Sequence, residues 1–124
     1  MRVFKTKTFT RFARKTRLSD AALCRAIVDA ERGLIDADLG GGVIKQRFAR
    51  RGQGKSGGFR VVILYQRGVK AFFVYGFAKS ERGNIAQDEL AALKELATEM
   101  LGYDETEIAQ AMASGPLIEV NCNE

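Results

Sequence analysis

The chain has 124 residues, enough for one domain with a hydrophobic core and too few for two, so we treat residues 1–124 as one domain. Its 20 Lys and Arg outnumber its 15 Asp and Glu, and it contains no histidine. The longest apolar runs, such as residues 61–65, are too short to cross a bilayer, and residues 1–15 lack the apolar segment of a signal peptide. These features exclude a membrane-spanning protein and predict a soluble, cytoplasmic one.

Two helices are predicted first along the chain. Thr8 is a suitable cap for a short helix, and Ser19 for a second helix that carries Leu23 and Ile27 on one face and ends at Gly33. Three strands are predicted next, over residues 43–49, 59–65 and 71–77. The first alternates apolar and basic residues, and the other two are β-branched and aromatic runs that form a hairpin.

Two further helices close the pattern. Asn84 resembles the start of a capping box and opens a helix that ends at Gly102, and Asp104 opens a last helix that ends at Gly115. The order ααβββαα, with a possible short strand at either end, predicts an α+β domain. We expect an antiparallel β-sheet with two N-terminal helices and one or two C-terminal helices, all packed on one face of the sheet.

The two cysteines, Cys24 and Cys122, form neither a disulfide framework nor a metal-binding spacing. Because Cys24 falls within a helical pattern, we expect its side chain to be a small buried apolar group. No metal and no cofactor are expected.

The charges are segregated along the chain. Residues 2–17 hold seven basic side chains and no acid, and residues 45–82 hold ten basic side chains against Glu81 alone. After Arg82 the balance reverses, with nine acids against Lys94. A body this basic favours a polyanionic partner, and the phosphate backbone of nucleic acid is the commonest one. A basic surface that only keeps the protein soluble is the plainer alternative.

The stretch RGQGKSGGFR, residues 51–60, contains the letters of a nucleotide-binding loop. Such a loop requires a glycine at the position of Ala49 and must lead into a helix, whereas this stretch leads into a predicted strand. Both requirements fail, so the stretch is better interpreted as a basic, glycine-rich connection between two strands. Gly57 and Gly58 would let the chain turn closely there.

If the three predicted strands are antiparallel neighbours, their basic residues meet at one end of the sheet. The residues concerned are Lys45, Arg47, Arg60 and Lys79, with residues 50–58 above them and Arg82 just beyond. Cations this close repel one another unless an anion lies among them. A phosphodiester is such an anion, so the cluster predicts an RNA-binding or RNA-cleaving site.

RNA cleavage by its own 2′-hydroxyl needs a base, positive charge at the phosphorus and a proton for the leaving 5′-oxygen. A lysine among other cations has its charged form disfavoured, which makes Lys45 and Lys79 the candidates for proton transfer. Arginine stabilises the transition state, and Arg47, Arg60 and Arg82 are the candidates for that role. For Glu81 a salt bridge to Arg82 or Lys79 is expected rather than catalysis.

The segments VIKQRFARRGQGKSGGFRVVILY and AFFVYGFAKSERGNI resemble the signature of the RelE/HigB toxin superfamily, and its HigB-like branch in particular. That branch shows a basic strand, a G-[KR]-x-G-G-x-R junction and a Y-G-x-x-K-x-E stretch in this order. The resemblance implies a RelE-like fold and a metal-independent, ribosome-dependent endoribonuclease that cleaves mRNA in the ribosomal A site. It assigns the catalytic roles to Lys45, Arg47, Arg60 and Lys79. Arg50, Arg51 and Lys55 of the basic loop, together with Arg82, are the candidates for RNA binding.

The same resemblance implies the partners. They are an antitoxin with a helix-turn-helix domain, the 30S ribosome with its mRNA, and operator DNA through the antitoxin alone. Several relatives use a tyrosine near the C-terminus, where this chain offers only Tyr103, and we expect Tyr65 and Tyr75 to pack or stack. Two alternatives remain open at this point: a ParE-like inhibitor of DNA gyrase, and a non-catalytic RNA-binding domain of the same fold.

Overall fold

The computed structural model describes residues 1–49 and 58–122, and the described part contains six strands and four helices. Every helix and strand predicted from the sequence is present, the short strands expected at either end are there, and one further short strand precedes residue 43. The elements are β1 (Arg2–Thr6), α1 (Lys7–Thr16), α2 (Asp20–Glu31), β2 (Ala37–Gly40), β3 (Val43–Phe48), β4 (Phe59–Gln66), β5 (Lys70–Ala78), α3 (Gln87–Leu101), α4 (Glu105–Ser114) and β6 (Leu117–Val120).

The strands form one mixed sheet in the order β2-β3-β4-β5-β1-β6. All neighbouring strands are antiparallel except β1 and β5, which run parallel. The predicted β3–β4–β5 meander is therefore confirmed and forms the centre of the sheet. β1 lies between β5 and the last strand, β6.

The helices cover both faces of the sheet, so the prediction that they pack on one face is wrong. On one face, α1 and α2 bury Leu23 in a cluster with Ile63 of β4. On the other face, Ala97 of α3 and Ile108 of α4 pack with Leu64. The continuous apolar run over residues 61–65 is typical of a strand that is buried on both sides, so the sequence did contain this signal.

Two helix starts differ from the sequence prediction. The Thr6 side chain caps α1 by accepting a hydrogen bond from the Phe9 amide at 3.1 Å, because β1 leads directly into the helix and Thr8 already lies inside it. Helix α3 begins after Ala86 rather than at Asn84. Among the residues that the structure describes, no helix has the length and apolar character needed to cross a membrane.

Cys24 and Cys122 form a disulfide with a Cα–Cα distance of 5.5 Å, so the prediction that they do not pair is wrong. The bond joins α2 to the segment that follows β6. The two residues are 98 positions apart, and only the folded arrangement brings them together, so their spacing in the sequence contained no signal. Both side chains pack against the core cluster beneath α1 and α2.

Glu31, at the end of α2, connects this helix to the turn between β4 and β5. Its carboxylate accepts hydrogen bonds from the Tyr65 hydroxyl and from the Gly68 amide, the latter at 2.9 Å. The Tyr65 hydrogen bond, followed by the Gly68 hydrogen bond, lowers the pKa of Glu31 below its usual value. Burial, reinforced by the same carboxylate, raises the pKa of Tyr65.

Because the pKa of Glu31 is lowered on folding, the stabilisation is complete above the unfolded pKa of 4.5 and is lost as pH falls through the folded pKa. We expect Glu31→Gln to reduce the free energy of unfolding at pH 7 by about 1 kcal/mol. The gap to the wild type should shrink as the pH falls below 4.5. Urea unfolding across this pH range measures the difference in the free energy of unfolding, with Asp29→Asn in the same helix as the control. A gap that is constant with pH would contradict the assignment.

Candidate functional site

The sheet register places the basic strand residues in two rows across β3, β4 and β5. Arg47 lies opposite Arg60, which lies opposite Phe77. In the next row Lys45 lies opposite Val62, which pairs with Tyr75. Residues that pair directly across strands share a face of the sheet, so Lys45, Arg47 and Arg60 point to the same side. This is the side that α3 and α4 cover further along the strands.

Arg60 is the most buried of these cations. Its side chain is 4% exposed, compared with 46% for Arg47. The Arg60 Nη1 donates to the Phe59 carbonyl at 3.4 Å, and its Nε lies 3.9 Å from an oxygen of Asp36. Arg47 Nη2 lies 3.4 Å from the other oxygen of Asp36. Asp36, from the loop between α2 and β2, is therefore an acid within the predicted cationic cluster.

Arg82 extends the cluster over β5. Its guanidinium carbon lies 5.4 Å from the centre of the Phe77 ring and 6.0 Å from that of Tyr75, and its Nη1 donates to the Tyr75 hydroxyl at 3.0 Å. It also forms a forked ion pair with Glu89 at the start of α3. This ion pair raises the pKa of Arg82 and lowers that of Glu89 to about 2. The predicted salt bridge of Glu81 to Arg82 is therefore wrong, since Glu89 pairs with Arg82, and within the described residues Glu81 forms no salt bridge with Lys79 either.

Lys79 follows directly after β5 and is exposed. Its backbone amide donates to the Gly58 carbonyl at 3.0 Å, which fixes the chain at the exit of the loop. The predicted RNA-binding residues Arg50, Arg51 and Lys55 lie outside the residues that the structure describes, as does Gly57.

Gly58, just before β4, lies very close to the backbone of β3. A Cβ atom built on Gly58 would lie 2.0 Å from the backbone oxygen of Phe48, which is well inside van der Waals contact. Only glycine allows β3 and β4 to approach this closely where Phe48 pairs with Phe59. The close backbone approach at Gly58 agrees with the predicted role of this glycine, while the predicted turn at Gly57 lies outside the described residues.

We expect Gly58→Ala to cost about 2–3 kcal/mol of stability, because backbone atoms on both strands must move apart. Thermal unfolding measures the loss. Gly83→Ala is the matched control, since a Cβ at Gly83 would meet nothing within 4 Å. Equal unfolding temperatures for the two variants would contradict the close approach.

A broad cleft of about 1460 Å³ opens at this end of the sheet. Its walls come from α1, α2 and the ends of β3, β4 and β5, and they include Lys15, Arg17, Arg25, Arg47 and Arg82. Helix α1 continues this positive surface outward. Its exposed residues Lys7, Arg11, Arg14 and Lys15 follow the spacing of one helix face, and α1 contains no acid.

Sequence reasoning missed three residues of this arrangement: Asp36, Tyr75 as a polar contact, and Glu89. Tyr75 stands two positions before Phe77, so strand alternation alone places it on the same face as Arg60. Asp36 and Glu89 come from other elements, and no local pattern connects them to the cluster. Tyr103 lies elsewhere, where it packs beneath α3 and α4 and donates to Glu99 at 2.9 Å.

Comparison with known proteins gives one result for nearly the whole chain. A family model described as the RelE toxin of the RelE/RelB toxin–antitoxin system matches residues 1–120. The observed α+β fold, with its mostly antiparallel six-stranded sheet, is compatible with that family. A search against curated proteins gave no match.

Proposed function

Because the chain belongs to the RelE toxin family of toxin–antitoxin systems, we propose that it is a ribosome-dependent endoribonuclease that cleaves mRNA in the ribosomal A site. The observation that carries the proposal is the cross-strand row of Arg47, Arg60 and Phe77, with Arg82 stacked over its end. The finer assignment to the HigB-like branch remains a prediction from the sequence.

The arginines supply the positive charge that the reaction needs. When the 2′-hydroxyl attacks the adjacent phosphorus, negative charge builds up on the non-bridging oxygens. Guanidinium groups that are already in position stabilise this charge without having to reorganise. Arg47 is the most accessible of the three and would contact the phosphate directly, while Arg60 and Arg82 would stabilise it from behind and from the β5 side.

Two protons must move during the cleavage. One leaves the 2′-hydroxyl as its oxygen bonds to phosphorus, and one joins the 5′-oxygen as the phosphorus–oxygen bond breaks. The products are a 2′,3′-cyclic phosphate and a 5′-hydroxyl. We assign these transfers to Lys45 and Lys79, which stand on β3 and just after β5. The ribosome would hold the RNA in an attacking geometry, so a site without histidine can suffice.

The basic surface outside the row supports a large polyanionic substrate. The face of α1 formed by Lys7, Arg11, Arg14 and Lys15 leads into the cleft and suits an RNA backbone. Arg50, Arg51 and Lys55 are proposed to bind RNA from the loop before Gly58. Action on the ribosome would place the protein in the cytoplasm, as the sequence predicts.

Toxins of this family pair with an antitoxin. We propose that the antitoxin of this chain carries a helix-turn-helix domain, and that the complex reaches operator DNA through the antitoxin. The acidic helices α3 and α4 face away from the basic α1 surface, and we propose that they contribute to the antitoxin contact.

Inducible expression in a bacterium tests the proposal, with the 5′ ends of cellular mRNA mapped after induction. We expect growth to stop and new 5′-hydroxyl ends to appear within translated codons. Growth arrest with intact transcripts and altered DNA supercoiling would support the gyrase-inhibitor alternative instead. RNA binding without new 5′ ends would support a non-catalytic RNA-binding domain.

A further inference from the structure

Arg47 and Arg60 stand directly opposite each other on β3 and β4, where two like charges destabilise a strand pair. The Asp36 carboxylate lies between them. Its Oδ1 is 3.4 Å from Arg47 Nη2, and its Oδ2 is 3.9 Å from Arg60 Nε. Each carboxylate oxygen thus faces a different guanidinium group, which is the geometry that two oxygens of a phosphate would also adopt.

A buried network fixes the backbone of Asp36 independently of the arginines. The Asp36 amide donates to Gln46 Oε1 at 2.8 Å, and the Gln46 side chain is anchored in turn by donating to the carbonyls of Ala26 and Leu34. Gln46 is 5% exposed and lies on the opposite side of β3 from Arg47. Asp36 therefore stays beside the cluster even if its side chain turns away from the two arginines.

We infer that the Asp36 carboxylate is an internal counter-ion that occupies, in the free protein, the place that a substrate phosphate takes between Arg47 and Arg60. The inference rests on the proposed function for the identity of the substrate. The two Asp36 contacts are longer than the roughly 2.7–2.9 Å of a strong charge-assisted hydrogen bond, so a phosphate with shorter contacts displaces the carboxylate. Asp36 thereby lowers the affinity of the site for an isolated phosphate. A phosphodiester that is also held by further contacts still binds there.

Titration with inorganic phosphate tests the inference without a ribosome. The ¹⁵N–¹H resonance of Arg60 Nε reports binding in the wild type, in Asp36→Asn and in Asp38→Asn. Asp38 is the matched control because it stands two residues further on, loses the same charge and accepts its hydrogen bond from the Gly40 amide. We expect Asp36→Asn to bind phosphate about fivefold more tightly than Asp38→Asn. On programmed ribosomes, Asp36→Asn should lower KM relative to Asp38→Asn.

Equal phosphate affinities in the two variants would overturn the inference, as would weaker binding in Asp36→Asn. If Asp36→Asn does not fold, the wild type suffices, because phosphate must then shift the ¹³Cγ resonance of Asp36 as the carboxylate loses its partners. An unmoved Asp36 resonance at saturating phosphate would also overturn it. A protein that shows the phosphate response but cleaves no mRNA would refute the proposed function and leave the counter-ion intact.

Discussion

Replacing Arg47 with alanine is expected to reduce mRNA cleavage on ribosomes by about 100- to 1000-fold, the loss typical for one preorganised donor to a transition-state anion. The fold should survive, because the Arg47 side chain is 46% exposed and its loss leaves no cavity in the core. Single-turnover cleavage of a programmed ribosome measures the effect, and circular dichroism shows that the variant is folded.

Two companion variants make this result specific. Arg67→Ala removes the same charge at the far end of β4, where Arg67 donates to the Glu31 carbonyl, and cleavage should continue at nearly the wild-type rate. Arg60→Ala should lose both cleavage and stability, because Arg60 is buried and its removal takes one of the two guanidinium partners from Asp36. Undiminished cleavage by a folded Arg47→Ala protein would remove Arg47 from the site.

Opening the Cys24–Cys122 disulfide is expected to lower the free energy of unfolding by about 4 kcal/mol, since the bond closes a very long loop in the unfolded chain. That is a large share of the roughly 5–15 kcal/mol that stabilises a typical domain. Guanidinium unfolding with and without a reducing agent measures the loss. In a compartment that keeps thiols reduced, the protein has the lower free energy of unfolding of its reduced form.

The double variant Cys24→Ser, Cys122→Ser provides the control. It should match the reduced wild type, and the reducing agent should leave its unfolding midpoint unchanged. Two titratable thiols in the untreated native protein, together with one midpoint under both conditions, would show that the bond does not form.

Local patterns predicted the elements themselves and the central meander, because capping residues, glycine stops and β-branched runs act over a few neighbouring residues. They also predicted that Lys45 and Arg47 alternate with the apolar residues of β3 and that Arg60 lies near them at the same end of the sheet, since a period of two and antiparallel pairing fix that geometry. The packing of helices on both faces was not predicted, although an unbroken apolar run such as residues 61–65 is typical of a strand that is buried on both sides. Strand alternation also indicates that Tyr75, two residues before Phe77, lies on the face that carries Arg60.

Other features depended on contacts between distant parts of the chain. Asp36 reaches Arg47 and Arg60 only because Gln46 holds the loop after α2 against β3. The parallel pairing of β1 with β5, and the bond between Cys24 and Cys122, join residues that no window of sequence contains together. Charge segregation predicted a cationic surface but not the Asp36 carboxylate that lies within it.

The position of β1 between β5 and β6 determines the order in which this protein can be assembled. Residues 2–6 are synthesised well before their partners, residues 70–78 and 117–120. Until then β1 lacks both neighbours, and its apolar side chains Val3 and Phe4 have no completed core to enter. A nascent chain therefore cannot complete the sheet before residue 120 has been synthesised.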